Sequence, residues 1–315
     1  MTGVMELHKT IIPVATIIPT LNRTPILLRT LMSLLDQDCI TQSIVIVDAS
    51  DNDETKVAVE ALKLPAGVDI IYARAIIKGA AHQRSQALTL TVLPYVVFMD
   101  DDILLEPHCI QRIFDGFSIN ERVGGVNAMI TNQRYLKPGR FTKTMYTILG
   151  GKRTTWAGKV IGPAWNILPE DDPSLPEYVE CDWLNLGCTM YRVDALPNPV
   201  FPDSFHGYSA FEDLTLSLRV GKNWTLFNAR TARIYHDSQP GNYKNRVSRL
   251  AEMEVINRYY VMAKVLGHTK PRHFGQLFLF DLFKLTAMMQ SGSQLRQLPA
   301  TVAGKLKGYF KILFS

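Results

Sequence analysis

Four short apolar runs alternate with helix-like segments over the first hundred residues, and this alternation restricts the chain to a small number of folds. The runs are rich in β-branched residues and lie at 14–18, 43–47, 68–72 and 95–99. The segments between them, 25–35, 53–62 and 79–90, have apolar residues at helical spacing. Strands that are apolar on both faces are typical of a parallel sheet covered by helices. The sequence therefore predicts an α/β fold with a mostly parallel central sheet.

Three consecutive aspartates, Asp100, Asp101 and Asp102, directly follow the fourth apolar run. Because desolvating an unpaired carboxylate is costly, these charges must face water, a basic group or a cation. Carboxylate oxygens at a strand end suit Mg²⁺ or Mn²⁺, which bind carboxylates together with substrate phosphates. Taken alone, such a triplet is more simply explained as a solvated acidic turn.

The ends of three predicted strands carry polar or turn-forming residues: Pro19, Asp48 and Asp100. Ligands in parallel sheets bind beyond the carboxyl ends of the strands, so we expect these residues at one crevice. The turn after the first strand reads PTLNRT and contains no glycine, which argues against a nicotinamide dinucleotide. No phosphate-binding G-x-x-x-x-G-K-[ST] motif is present either.

Composition narrows the class of ligand. The formal net charge is +5 and the sequence pI is about 8.9, which fits an anionic substrate such as a nucleotide, or an anionic membrane surface. The basic residues are too scattered to predict nucleic-acid binding. The four cysteines form no C-x-x-C pair, so we expect reduced thiols of a cytoplasmic protein and no zinc site. No signal peptide is predicted.

The second half of the chain alternates less clearly. Residues 150–180 are rich in Gly, Pro and Trp and are predicted to form substrate-facing loops. Residues 212–220 are predicted to be helical. Segments 225–228 and 232–235 are predicted to be two separate short strands, the second ending at His236.

Five features occur in a fixed order along the chain. They are a strand followed by PTLN (19–22), a strand followed by Asp48, a helix with GAAHQR (79–84), a strand followed by DDD (100–102), and FED (211–213) followed by His236. Over roughly residues 13 to 240 this order resembles the family 2 glycosyltransferases. That family has the GT-A fold, a Rossmann-like, mostly parallel sheet flanked by helices, and uses nucleotide sugars.

The resemblance implies a divalent cation and a nucleotide at one site. The implied cation, Mn²⁺ or Mg²⁺, would be held by Asp102, Asp100 and His236. The implied nucleotide contacts are Pro19, Thr20, Asp48, Arg84 and Asp100. Asp101 would instead turn back towards the sheet and have a structural role. His236 alone would more simply be an ordinary residue at a strand end.

The pair Glu212 and Asp213 is the implied catalytic group. An inverting transfer needs one carboxylate to take the proton of the attacking hydroxyl, and the family pattern assigns this role to Asp213, with Glu212 beside it. An acidic first turn would also be favourable simply because of the helix dipole. Asp182 and Trp183 resemble the stretch that contacts the sugar and the acceptor.

The resemblance implies a donor of UDP, GDP or dTDP type and a glycan or lipid-linked acceptor, as in polysaccharide or cell-envelope biosynthesis. Two alternatives remain open at this point. A nucleotidyltransferase would be expected to carry a glycine-rich basic loop, which PTLNRT is not. A non-catalytic nucleotide-sugar-binding module would not need the intact acidic motifs.

We expect a catalytic domain over 1–243 and a helical extension over 244–315, with helices at 249–266, 274–289 and 300–314. No segment reaches the roughly 18 apolar residues of a membrane-spanning helix. Lys305, Lys307 and Lys311 alternate with apolar residues, which predicts a basic amphipathic helix on the inner face of the membrane and a peripheral location. The alternatives are a core helix pair or a dimer contact.

Overall fold

A computed structural model describes residues 9–202, 210–238, 246–289 and 292–314. It confirms the α/β class, with a central sheet flanked by helices and further helices at the carboxyl terminus. The strands are β1 (Thr10–Thr20), β2 (Cys39–Asp48), β3 (Asp69–Arg74), β4 (Tyr95–Met99), β5 (Ile103–Leu105), β6 (Val123–Ile130), β7 (Val160–Ile161), β8 (Trp165–Asn166), β9 (Tyr178–Glu180), β10 (Cys188–Arg192) and β11 (Thr225–His236). The helices are α1 (Thr24–Leu35), α2 (Glu54–Glu60), α3 (Ala80–Leu88), α4 (Cys109–Asp115), α5 (Arg140–Gly150), α6 (Glu212–Val220), α7 (Val247–Tyr260), α8 (Pro271–Met288), α9 (Gly292–Leu295) and α10 (Leu298–Phe314).

The main sheet has the strand order β3-β2-β1-β4-β10-β6-β11-β5, with β9 paired to β11. The four strands predicted from the apolar runs are parallel neighbours, as expected. Strand β10 enters between β4 and β6 and is antiparallel to both. The sheet is therefore parallel on one side and mixed on the other.

The pairing register aligns the strand ends that matter for function. Thr20 at the end of β1 is the partner of Asp48 at the end of β2, and Ile17 pairs with Phe98 of β4. On the far side of the sheet, His236 at the end of β11 pairs with Ile103. The carboxyl ends of β1, β2, β4 and β11 therefore meet at one edge.

Strand β11 corrects the prediction of two short strands at 225–228 and 232–235. It is one strand, Thr225–His236, and its parallel pairing with β6 shifts register between Ala229 and Arg233. Such an irregularity keeps both halves in the sheet while one strand bends. In the sequence, this irregularity corresponds only to the polar residues Arg230 and Thr231 between two apolar stretches, and that pattern predicts two strands rather than one bent strand.

The two faces of the sheet bury separate apolar clusters. One contains residues of α1 and α4, and the other contains residues of α3 and α6. Every residue of β6 is buried, as expected for a strand covered on both faces. These packed faces hold the carboxyl edge of the sheet as a rigid platform.

The three predicted carboxyl-terminal helices are present as α7, α8 and α10, and α7 continues into a π-helical turn, Val261–Val265. The predicted domain boundary at 243 lies outside the described residues. Within the described part of the chain, we find no helix with the length and apolar content that a membrane crossing requires.

Lys305 departs from the predicted exposed basic face. Its side chain is 5% exposed, and its Nζ lies 2.6 Å from Asp281 Oδ1 and 3.1 Å from Glu254 Oε2. The Tyr309 hydroxyl donates to the other oxygen of Asp281 at 2.7 Å. Periodicity alone placed Lys305 outside, but its partners on α7 and α8 turn this side of α10 inwards.

Candidate functional site

The triple aspartate after β4 divides into one anchoring residue and two site residues. Thr20 Oγ1 donates to Asp101 Oδ2 at 2.7 Å, and Arg23 Nη1 lies 3.0 Å from Asp101 Oδ1. Thr30 Oγ1 also donates to the Asp101 backbone carbonyl at 2.7 Å. Asp101 therefore faces the sheet, as predicted, and fixes the turn. Burial raises its pKa to about 6, although Arg23 and Thr20 counteract this.

Asp100 and Asp102 turn the other way, towards His236. One ligand atom from each of these three residues lies within 4.8 Å of the others. His236 Nε2 is 3.1 Å from Asp102 Oδ1. Two carboxylates and one imidazole at this spacing form a potential site for a divalent cation.

His236 is positioned at this cluster because its backbone amide and its backbone carbonyl are both hydrogen-bonded. Asn132 Nδ2 donates to the His236 carbonyl at 2.8 Å, and the His236 amide donates to Asn132 Oδ1 at 3.2 Å. The amide of Asp237 donates to the Asp102 carbonyl at 2.8 Å. Asn132 was not predicted, since a lone asparagine after a strand gives no sequence signal of such a contact.

Arg84 on α3 links the cation cluster to the acidic pair. Its side chain is 3% exposed; Nη2 lies 2.5 Å from Asp100 Oδ1, and Nη1 contacts Glu212 Oε1. Burial by itself would lower the pKa of Arg84, but the charges of Glu212 and Asp100 raise it above its usual value. The guanidinium thus remains charged and holds two acids at one crevice, Asp100 directly after β4 and Glu212 in α6.

Glu212 and Asp213 form the first turn of α6, behind Phe211, whose φ of 77° is in the left-handed region. Burial raises the pKa of Glu212 to about 7, although Arg84 counteracts this. Burial likewise raises the pKa of Asp213 to about 6, against the Leu214 amide, which donates to its Oδ1 at 2.7 Å. An acid with a pKa near neutrality can accept a proton and release it again, which general-base catalysis requires.

One oxygen of the acidic pair lacks a protein partner. Within the described residues, Glu212 Oε2 is buried and accepts no hydrogen bond. A buried polar atom without a partner is costly, so such atoms commonly mark a place where a ligand or water binds. This oxygen therefore points to a polar ligand group beside Arg84.

Asp48, one of the predicted nucleotide contacts, is fully buried, and its carboxylate already has hydrogen-bond and ion-pair partners. Tyr72 Oη donates to Asp48 Oδ2 at 2.8 Å, Arg74 Nη1 lies 3.3 Å from the same oxygen, and the Ser50 amide donates to Oδ1 at 2.8 Å. Tyr72 and Arg74 both line a cavity of about 560 Å³. Asp48 thus orients the two side chains that face this cavity.

Pro19 and Thr20 lie at the end of β1, next to β2. Gln83 Nε2 donates to the Thr20 carbonyl at 3.0 Å and to the Val47 carbonyl at 2.7 Å, which ties α3 to both strand ends. The two predicted nucleotide contacts are therefore at the same edge as Arg84. That Pro19 and Thr20 contact the nucleotide stays a prediction.

Asp182 and Trp183, the predicted sugar or acceptor contacts, differ in placement. Asp182 is about one-third exposed and bonds to Lys159 Nζ at 3.1 Å and to the Val160 amide at 2.9 Å. Trp183 is buried in an apolar cluster, and its indole N–H donates to the Ile167 carbonyl at 2.8 Å. The buried Trp183 side chain thereby fixes the position of the loop that carries Asp182. The sugar contact of either residue stays a prediction.

Arg23 is a site residue that sequence reasoning missed. Besides its contact with Asp101, its Nη1 lies 3.4 Å from Asp102 Oδ2. It is the fifth residue of PTLNRT, so its place in the turn beyond β1 was the available signal. Its charge partly neutralises the aspartates, which lets the cluster form before any cation binds.

A second cavity, of about 520 Å³, opens beyond β6. It is lined by charged side chains that pair with one another, including Lys137 with Glu170 at 3.2 Å and Arg233 with Asp171 at 2.8 Å. Thr131 also lines it, next to Asn132. The cavity therefore adjoins the His236 side of the site.

Comparisons with known proteins agree with this geometry. Residues 15–166 match the family model described as glycosyl transferase family 2. No curated protein sequence matches the chain significantly. Among solved structures, the chain is similar to the mannosyltransferase PcManGT from Pyrobaculum calidifontis, solved with GDP-Man and Mn²⁺, at 14% identity and a TM-score of 0.58, covering 95% of this chain and 87% of that one.

A second similar structure is GalNAc-T7 with UDP, GalNAc and Mn²⁺, at 13% identity and a TM-score of 0.53. The similarity covers 80% of this chain and 50% of that one. At these identities the likeness concerns the fold, which is the GT-A arrangement in both cases. The family match and the fold agree on one type of domain.

Proposed function

Since residues 15–166 form a glycosyl transferase family 2 domain and the chain is a glycosyltransferase, we propose that it transfers a sugar from a nucleoside-diphosphate donor with inversion at the anomeric carbon. The acceptor in this proposal is a glycan or a lipid-linked glycan. A divalent cation on the donor diphosphate completes the site.

The proposed cation ligands are Asp100, Asp102 and His236, whose spacing fits one ion. Carboxylate oxygens favour Mg²⁺ or Mn²⁺, and the imidazole nitrogen favours Mn²⁺ of the two. When bound, the cation supplies Lewis-acid stabilisation of the departing diphosphate. The Mn²⁺ bound in the two similar structures supports this choice.

The proposed donor site runs from the cation cluster to the ends of β1 and β2. Asp48 there orients Tyr72 and Arg74 beside a cavity large enough for a nucleobase. The similar structures were solved with GDP-Man and with UDP, which supports a nucleoside diphosphate without selecting the base. Pro19 and Thr20 are the proposed backbone contacts.

Asp213 is the proposed general base. Its raised pKa of about 6 leaves it mostly ionised at neutral pH yet basic enough to take the acceptor proton. One base and direct displacement suffice for an inverting transfer, with no covalent enzyme intermediate. Glu212, held by Arg84, keeps its second oxygen for a polar group of the acceptor or the sugar.

The observation that carries the proposal is the Arg84 bridge between Asp100 and Glu212. It places the cation cluster and the acidic pair at the same crevice, as direct displacement of a diphosphate by a hydroxyl requires. Residues on opposite faces of the sheet could not act on one substrate.

The test measures nucleoside-diphosphate release from UDP-, GDP- and dTDP-sugars, with Mn²⁺, with Mg²⁺ and with a chelator, in the presence and absence of glycan acceptors. We expect cation-dependent release from one nucleotide class. Metal-dependent binding of a nucleoside diphosphate without release from any sugar donor would instead indicate a binding module and contradict the proposal.

A further inference from the structure

Helices α8 and α10 share an exposed apolar face, which we call the apolar face. Its side chains are 43% to 75% exposed; they are Phe278 and Leu282 on α8, Met289 directly after α8, and Leu306, Phe310, Leu313 and Phe314 on α10. The ring of Tyr309 on α10 packs edge-on against Phe278 of α8, with centroids 6.1 Å apart, so the two helices present this face together. Contiguous exposed apolar groups of this size mark an interaction surface.

The orientation of α10 is fixed from its other side. A Cβ added at Gly304 would lie 2.1 Å from the Ser248 carbonyl oxygen, and one at Gly308 would lie 2.8 Å from Val255 Cβ. Lys305, on the same side of α10, pairs with Glu254 of α7 at 3.1 Å and with Asp281 of α8 at 2.6 Å. The glycine side of α10 therefore packs against α7, and the apolar face cannot simply rotate into the core.

The charge around this face differs in sign from the rest of the chain. Residues 244–315 contain twelve Lys and Arg against three Asp and Glu, a net charge of +9, whereas the preceding residues contain 22 and 26, a net charge of −4. Lys307 is exposed on α10 between Leu306 and Phe310, and Lys311 is 62% exposed and lies 2.6 Å from Glu252 Oε1. Basic side chains interleaved with exposed aromatics are the pattern of an interfacial helix.

The helical extension is tied to the catalytic acids. The Arg258 guanidinium lies 4.2 Å from the centroid of the Phe280 ring and 4.7 Å from that of Phe211. Arg258 Nη1 also donates to the Ala164 carbonyl at 2.7 Å. Because Phe211 directly precedes Glu212, whatever binds α8 and α10 is held at a fixed position relative to the acidic pair.

We propose that the apolar face docks on an anionic lipid bilayer, with Phe310 and Phe314 entering the interface and the surrounding lysines and arginines on the headgroups. A second copy of the chain fits less well, because a two-fold dimer would bring two regions of charge +9 together. Docking would hold the chain at the same membrane surface as a lipid-linked acceptor. The docking itself does not depend on the proposed reaction.

The test uses flotation of the full-length chain with two kinds of vesicle: phosphatidylcholine alone, and equal parts phosphatidylcholine and phosphatidylglycerol. We expect binding to the anionic vesicles that weakens as salt is raised, and little binding to the neutral ones. Lys307→Glu should reduce the partition coefficient roughly thirtyfold, because reversing one charge changes the net charge near the surface by two units. Phe310→Ser with Phe314→Ser should abolish flotation.

Matched control variants lie outside the helical extension. Lys63→Glu reverses an exposed charge, and Ile76→Ser with Val92→Ser removes apolar side chains that are 83% and 101% exposed. These controls should float like the wild-type chain. Equal flotation of all variants, or equal binding to neutral vesicles, would overturn the proposal.

Light scattering distinguishes a second copy from a membrane. A dimer of the wild-type chain that dissociates in the Phe310→Ser/Phe314→Ser variant would assign the face to self-association and overturn membrane docking. Sugar-donor turnover with a water-soluble acceptor should be the same for the face variants and the wild type. Loss of flotation is thereby separated from any failure of the proposed reaction.

Discussion

His236 Nε2 lies 3.1 Å from Asp102 Oδ1, although His236 ends β11 and Asp102 follows β4, more than 130 residues earlier in the chain. Asp100 completes the group, with one ligand atom of each residue within 4.8 Å of the others. An imidazole and two carboxylates this close form a ligand set suited to one divalent cation. Arg23 and Arg84 offset part of the negative charge, and a divalent cation would offset the rest.

Replacing Asp102 with Asn should remove a cation ligand and a negative charge while keeping the size of the side chain. We expect the cation-dependent transfer rate to fall at least about a hundredfold, because Lewis-acid stabilisation of the leaving group is lost. Chelation of the wild-type enzyme should have the same effect. Asp194→Asn, at an exposed aspartate, serves as the control and should keep full activity. Unchanged turnover of Asp102→Asn would remove this residue from the cation site.

Asp213→Asn tests the base. Because an amide cannot take the acceptor proton, we expect a loss of about 10²- to 10⁴-fold in kcat. Thermal stabilisation by a nucleoside diphosphate with Mn²⁺ should be retained, since the proposed donor contacts lie elsewhere. The measurement is a transfer assay paired with a melting curve. Wild-type kcat in this variant would contradict the assignment.

The transfer rate should depend on pH through Asp213. Burial raises the pKa of this carboxyl to about 6, and it must be ionised to act as a base, so the active form is lost as the pH falls. Below about pH 6 we expect kcat to decrease roughly tenfold per pH unit. A pH–rate profile gives the result, and its acidic limb should vanish from the residual activity of Asp213→Asn. A limb near pH 7 that vanishes in Glu212→Gln would assign the base to Glu212 instead.

Arg84→Met should destabilise the fold as well as the site. Removing one partner from a buried ion pair leaves uncompensated charges, here on Asp100 and Glu212, and such changes cost about 3 kcal/mol or more of unfolding free energy. Adding Glu212→Gln removes one of those charges and should restore part of the loss. Urea unfolding of the single and double variants measures both effects. Equal stability of Arg84→Met and the wild type would mean that Asp100 and Glu212 are solvated by water, which would contradict a buried ion pair.

Two glycines in helix interiors provide a matched test of how α10 packs. A Cβ at Gly304 meets the Ser248 carbonyl oxygen at 2.1 Å, whereas a Cβ at Gly275 of α8 meets nothing within 4 Å. Gly304→Ala should therefore destabilise the protein by about 1–3 kcal/mol through overpacking. Gly275→Ala should stabilise it by about 0.5–1 kcal/mol through helix propensity. Unfolding midpoints of the same sign for both would contradict the close contact of α10 with α7.

The sequence predicted the part of the site that depends on strand ends. Apolar runs followed by acidic residues locate Asp48, Asp100 and Asp102 at one edge, since parallel strands must place their carboxyl ends together. The order of the five motifs also predicted Arg84 and His236 as site residues. In the structure Arg84 contacts Asp100 and His236 contacts Asp102. For these residues, the sequence pattern at the strand ends and the parallel pairing of the strands predict the same edge, so the sequence alone was sufficient to locate them.

Residues whose neighbours come from distant segments were not predictable in the same way. Lys305 was assigned to the surface by its spacing and is buried, because Asp281 and Glu254 on two other helices approach it. Arg258 and Asn132 show no periodic signal, and their contacts arise only when α8 and β11 are in place. The insertion of β10 between β4 and β6 likewise depends on long-range pairing.

The most direct measurement is a crystal structure of the protein soaked with Mn²⁺ and either UDP or GDP, with the ion located by anomalous scattering. The account predicts one anomalous peak within bonding distance of Asp100, Asp102 and His236, in contact with the diphosphate. A manganese ion bound elsewhere, or a diphosphate bound away from these three residues, would contradict it.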